Sequence, residues 1–217
     1  MAPPRPRPII AAMIFRALFP VLLAAALFAP GAVAAPEPQP ELAPEGAPLS
    51  PEGKAEARDA LLDKLLAELA EAEDEEAGRA LERAIQSVWL SSGSPSIDLL
   101  MGRGLDALRE DDIDRAYFYF DEVVTLAPGF AEGWNKRAAI HYIREDYAAA
   151  LGDLEQVLRL EPRHYEALAG LGVILEDLGD RKGALEAYRR ALKLDPWLQN
   201  GKTRIAPLEL EVEGRGI

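Results

Sequence analysis

AEGWNKRAAIHYIREDYAAALGDLEQVLRLEP, residues 131–162, decides the fold, because its punctuation recurs on either side of it. Proline stands at Pro128, Pro162 and Pro196, and alanine at Ala116, Ala150 and Ala184. Leucine recurs at Leu126, Leu160 and Leu194, and aspartate at Asp112, Asp146 and Asp180. Every one of these steps is 34 residues. Four different positions obeying one period mark three copies of a unit, at 97–130, 131–164 and 165–198. A period in the low thirties carrying two helical patterns predicts an all-α solenoid of antiparallel helix hairpins.

The repeated positions have physical reasons. Gly104, Ala138 and Gly172 are small where two helix axes must close to roughly 8–10 Å, and a larger side chain would wedge the hairpin open. Asp112, Asp146 and Asp180 stand just before each second helix, where a carboxylate accepts from free amides and favours the positive end of the helix dipole. Arg137 and Asp153 fall on facing helices of one unit and are read as a structural ion pair.

Residues 97–198 resemble three tetratricopeptide repeats. Trp134 fills the family's opening aromatic position, with Leu100 and Leu168 as counterparts, and Gly104, Ala138 and Gly172 are the small residues at the crossing. Ala116 to Phe120, Ala150 to Leu154 and Ala184 to Tyr188 supply the packing step of the second helix. The departures are Arg103 and Arg137 in place of Leu, and Ala107, His141 and Leu175 in place of Tyr. The resemblance implies a right-handed superhelix whose first helices line a concave surface that receives a segment of a partner protein. Carried over by repeat position, the contact candidates are Met101 and Arg109, Asn135 and Tyr142, and Glu176 and Asp177. The family's clamp for C-terminal carboxylates uses Lys, Asn and Arg here. This surface has Asn135 but almost no cations, so carboxylate-tail recognition is not expected. Asp98, Glu132 and Glu166 are read as first-turn acids that favour the dipole.

Outside the units, the stripe Leu61, Leu62, Leu65, Leu66, Leu69 and a second stripe from Ala77 to Trp89 predict an amphipathic hairpin over 54–92. It is read as a degenerate first repeat covering the N-terminal end of the array, with the acidic run Glu71 to Glu76 as a solvated turn and Ser96 as the next N-cap. At the other end, within 199–217, a short helix beginning near Pro207 is expected to cover the last repeat, because a terminal unit otherwise exposes an apolar face.

The first 34 residues have the layout of a secretory signal: Arg5, Arg7 and Arg16, an apolar run from Ala17 to Ala29, then Ala32, Val33 and Ala34. Cleavage after Ala34 and export to the periplasm are expected. The alternative is an uncleaved anchor in the inner membrane, although Pro20 and Pro30 interrupt a run shorter than the roughly 20 residues a span requires. A proline-rich spacer over 35–53 follows, too poor in apolar side chains to bury a core.

The chain carries 24 basic and 37 acidic residues; losing the three leader arginines leaves 21 basic residues and a net charge of −16. Such a surface repels phosphates and lipid headgroups, which argues against nucleic acid and membrane-surface binding and in favour of a basic or amphipathic protein segment. Cysteine is absent, which removes thiolate nucleophiles and zinc–thiolate sites. His141 and His164 are the only histidines and are read as packing or surface residues. Carboxylates follow helix ends rather than a paired acid/base arrangement, and no Gly-rich phosphate loop follows a strand. No cofactor is called for. A non-catalytic adaptor is the main expectation, with a self-associating structural module as the alternative; an enzyme or a carboxylate metal site ranks below both.

Overall fold

The computed structural model describes residues 50–198 and 201–214. The segment 1–34 read as a signal, and all but the last four residues of the segment 35–53 read as a spacer, lie outside them. Among the described residues there are nine α-helices and no strand. They are α1 (Pro51–Ala70), α2 (Glu75–Leu90), α3 (Pro95–Arg109), α4 (Ile113–Leu126), α5 (Ala131–Ile143), α6 (Tyr147–Leu160), α7 (Tyr165–Asp177), α8 (Arg181–Leu194) and α9 (Gly201–Val212). The pairs α3/α4, α5/α6 and α7/α8 form the three repeats, and each repeat packs on the next.

Local chemistry starts and stops these helices at the same places in every unit. Asp112, Asp146 and Asp180 accept from the amides of Arg115, Ala149 and Gly183 at 3.1, 3.1 and 3.0 Å, so each second helix is capped by its own aspartate. The residue before each cap has a left-handed backbone: Asp111 at φ 59°, Glu145 at φ 61° and Gly179 at φ 83°. Glycine alone adopts that region without cost, so the third turn is relaxed and the first two are strained.

The hairpins close on small residues. A Cβ on Gly104 would lie 2.4 Å from Cε1 of Phe120, and one on Gly172 would lie 2.8 Å from the Tyr188 ring. In the middle repeat the residue opposite is Leu154, which shares a buried cluster with Ala138, and there alanine is tolerated. Ala116, Ala150 and Ala184 are completely buried on the second helices.

The flanking elements depart from the sequence-based expectation. Helix α1 begins at Pro51, inside the segment read as spacer, because Ser50 accepts from the Gly53 amide at 3.1 Å and Pro51 occupies the first helical position. Asp74 caps α2 by accepting from Ala77 at 2.8 Å. Ser96 is not an N-cap. It lies inside α3, which starts at Pro95, and Asp98 instead closes the preceding turn by accepting from the amide and hydroxyl of Ser92 at 2.9 and 2.6 Å.

The larger difference is where the α1–α2 hairpin goes. It does not act as a zeroth repeat stacked on the first; α1 lies against α8 and α2 against α5. Its apolar face, Leu62, Leu66, Leu69, Ile85 and Trp89, finds its partners in Tyr165, Leu194, Trp197 and Leu198 near the end of the array. Gly78 explains the seating: the Trp197 ring approaches so closely that a Cβ would sit 2.5 Å from its Cγ. Leu90, at the end of α2, does reach the first repeat's cluster, yet Leu99 on α3 stays 56% exposed.

At the C-terminal end α9 begins at Gly201, six residues before Pro207, which lies within the helix. Leu208 is buried and, with Ile205, packs against Val173, Leu185 and Tyr188, so α9 covers the last repeat. Arg189 ties it down through Glu209 at 2.8 Å and Glu213 at 2.6 Å.

Candidate functional site

The face lined by the first helices, α3, α5 and α7, divides into a half covered by α2 and a half where α9 joins the cluster that holds Val173 and Tyr142. The covered half begins with three ionisable side chains buried at the N-terminal turns of α5 and α7. Glu132 and Lys136, one helical turn apart, pair at 2.6 Å with side chains almost wholly out of water. His164, completely buried, lies 2.9 Å from the other Glu132 oxygen through Nε2. Its Nδ1 accepts from the Ala167 amide at 3.3 Å, so the imidazole also caps α7, and the proton sits on Nε2 facing the carboxylate. Burial would raise the Glu132 carboxyl, but the Lys136 charge and the His164 bond outweigh it and hold the group at about 2. Lys136 is pushed up: burial opposes the shift, and the charges of Glu132 and Glu166 override it.

Helix α2 lies over this network. Trp89 stacks on His164 with ring centroids 4.0 Å apart and planes 10° off parallel, and it meets Tyr165 at 5.0 Å. Gln86 donates to Glu166 at 2.5 Å. Glu82 faces Asp195, and burial together with that neighbouring charge pushes the Glu82 carboxyl up to about 8. On α1, Asp63 and Asp59 pair with Arg163, which also binds Glu161.

The other half of the face, at the C-terminal turns of α5 and α7, carries most of the remaining contact candidates. Tyr142 donates to Asp177 at 2.9 Å, joining the second and third repeats; Tyr142 is half-buried and Asp177 exposed. Burial first, and then the Asp177 bond, push the Tyr142 hydroxyl well above its ordinary value. Arg109 is exposed at the end of α3 and bonds Asp106. Asn135 is half-buried and donates to Glu132 at 3.1 Å.

Two candidates are corrected. Met101 is 2% exposed and belongs to the first repeat's core with Ile97 and Phe120, so it offers no contact surface. Glu176 is engaged structurally: one oxygen accepts from the Tyr188 hydroxyl and from Arg204 at 2.8 Å each, and the other lies 3.6 Å from Arg181. Sequence reasoning had placed Glu132 and Glu166 as simple first-turn acids and missed Lys136 and Trp89. The Glu132–Lys136 spacing of four was the available signal for the buried pair.

Arg137 makes two bonds to Asp153 within the second repeat at 2.8 and 2.7 Å and one to Asp121 of the first at 2.7 Å, and its guanidinium lies 4.8 Å over the Trp134 ring. Trp134 donates to the Pro128 carbonyl at 2.9 Å, pinning the repeat turn. Arg137 and Trp134 are therefore packing residues. Among the described residues no group of three or more His, Asp or Glu is arranged to hold a metal ion.

Three stacked helix hairpins with capped second helices and small residues at their crossings define a helical-repeat solenoid. The chain belongs to the tetratricopeptide-repeat family: the family's model matches residues 141–196, and a TPR repeat-containing protein of Rhizobium etli is 32% identical over 153 residues, covering 70% of this chain and 75% of that one. A heat-shock-cognate co-chaperone, sgt12 of Aspergillus fumigatus, is 26% identical over 102 residues, which are 47% of this chain and 30% of that protein. Among solved structures, the TPR domain of Arabidopsis OM64 superposes with a TM-score of 0.52 at 20% identity, over 54% of this chain and 97% of that domain.

Proposed function

We propose that the protein is a non-catalytic adaptor, exported to the bacterial cell envelope after cleavage behind Ala34, which binds a basic or amphipathic segment of another protein on its first-helix face. The observation that carries this reading is the Tyr142–Asp177 pair. It spans two repeats and sets the half-buried Tyr142 ring beside an exposed carboxylate. A cationic side chain set there gains from both groups. The net charge favours the same class of partner, and a relative named as a co-chaperone works with other proteins. Affinity is expected to be about micromolar, since three repeats offer few deep pockets. The test is pull-down from envelope extracts with Asp177→Lys: partners retained by the wild type should be lost. Retention of the same partners by the variant would overturn the assignment of this face.

Self-association is a second reading, and one observation favours it: two large apolar side chains of the first repeat, Leu99 and Phe118, are 56% and 57% exposed. Sedimentation over a range of concentrations separates the two, because a concentration-independent monomer excludes the second.

A further inference from the structure

The seam between the α1–α2 hairpin and the repeats is unusual in its polar chemistry. Among the described residues, the buried Nε1 of Trp89 and hydroxyl of Tyr165 lack a hydrogen-bond partner, and Oδ2 of Asp195 has only the Glu82 carboxyl to meet it. All three lie on this seam, one on α2 and two on the surface it covers. Buried polar groups in a settled interface are almost always bonded. The same seam sets Glu82 against Asp195, two acids with Glu166 close by and Arg79 opposing.

One polar network of the repeats is self-contained beneath the hairpin, while Glu166, Arg163 and Asp195 also meet hairpin side chains. Glu132, Lys136 and His164 satisfy one another entirely within α5 and the start of α7. The buried clusters of the second and third repeats hold no hairpin residue, while Leu90 of α2 packs on the first repeat's cluster and Tyr165, Leu194, Trp197 and Leu198 join the hairpin's own. The link from α2 to α3 is the four-residue turn Ser91–Ser94, with Gly93 at φ 78°, where glycine leaves the backbone free to turn.

We propose that the α1–α2 hairpin is a displaceable resident of the first-helix face, and that the floor under α2 seats an amphipathic helix of the partner protein, which lays an aromatic ring on His164 in place of Trp89. This rests on the reading of that face as the partner-binding surface. The resident itself states the chemistry of the incoming helix. It needs an aromatic anchor, as Trp89 is; an amide or other donor for Glu166 one turn earlier, as Gln86 is; and a small residue to admit Trp197, as Gly78 is. A partner that also supplies a cation to Asp195 replaces the contact of two acids, Glu82 and Asp195, by an ion pair.

The test uses the full chain and a labelled synthetic peptide of residues 75–90 as the incoming helix. The protein has no cysteine, so Gly78→Cys with Trp197→Cys introduces a single pair. A Cβ on Gly78 lies 2.5 Å from Cγ of Trp197, one bond short of the Trp197 Cβ, which is compatible with the ~3.5–4.5 Å between Cβ atoms of a disulfide. The reduced form should take up the peptide at least about tenfold more tightly than the oxidised, locked form. Equal uptake by the two forms, or none by the reduced form, overturns the proposal. A second measurement needs no variant: amides of α1 and α2 should exchange with deuterium at least about tenfold faster than those of α5 to α8. Equal protection throughout overturns the proposal as well. Failure of the underlying reading looks different: peptide uptake does not involve Asp177, so partner capture insensitive to Asp177→Lys would sink the groove assignment alone, while capture by the locked protein would sink the displaceable hairpin alone.

Discussion

Replacing Glu82 with glutamine isolates the acid pair on the hairpin seam. Glu82 faces Asp195 with Glu166 nearby, and burial plus the Asp195 charge push its carboxyl from 4.5 to about 8, against the opposing charge of Arg79. The folded value is above the unfolded one, so the folded chain holds the extra proton. Its contribution to stability is fully present below pH 4.5 and is lost as pH rises through about 8. At ~1.4 kcal/mol per pH unit the full displacement corresponds to about 5 kcal/mol, and solvent screening of a carboxyl that is partly exposed reduces this to about 2 kcal/mol. Asp195 is raised by burial too and acts in the same direction. Glutamine keeps the shape and stays neutral at every pH. Glu82→Gln should therefore match the wild type near pH 4.5 and exceed it by about 2 kcal/mol near pH 9. Urea unfolding followed by circular dichroism at fixed pH reads this as a higher midpoint at unchanged slope. A difference between the two proteins that does not grow with pH would refute the reasoning.

Three further outcomes follow from the packing. Arg137→Met leaves the buried Asp153 carboxylate without its two-bond partner and should cost about 3 kcal/mol, read as a lower melting temperature, whereas the exposed Arg109→Ala should change stability by less than about 0.5 kcal/mol. Lys136→Met strands Glu132 in the same way and should cost about 3 kcal/mol at neutral pH. Because the Glu132 value is depressed to about 2, that penalty should shrink as pH falls from 4.5 towards 2. Gly104→Ala places a methyl 2.4 Å from the Phe120 ring and should destabilise by about 2 kcal/mol, and the double variant with Phe120→Leu, which copies the Ala138 and Leu154 pairing, should recover part of the loss in a mutant cycle.

The repeats were legible because the signals that make them are local. Asp112, Asp146 and Asp180 cap helices through amides three residues away, and Gly104 and Gly172 match aromatics sixteen residues on within one hairpin. The Arg137–Asp153 pair was legible for the same reason. The seat of the α1–α2 hairpin was not, because it depends on shape matches such as Gly78 with Trp197 across most of the chain, and amphipathic stripes show that a face is buried without saying against what. The same limit explains the corrected contact residues. Repeat position put Glu176 on the open face, but its partner Arg204 comes from α9, and it put Met101 there although the cluster holding Met101 is packed against Leu90 at the end of α2. His164 could be read as a boundary residue, while its bond to Glu132, thirty-two residues earlier, appears only once two repeats are stacked.

Photo-cross-linking in the native host cell tests the adaptor reading most directly, with a photoreactive side chain placed at Ala139 on the first-helix face in one variant and at Gly152, exposed on α6, in another. The Ala139 probe should capture a discrete partner protein, Asp177→Lys should abolish this capture, and the Gly152 probe should not capture it. Capture of the same protein from Gly152, or capture from Ala139 that survives Asp177→Lys, would contradict the adaptor reading.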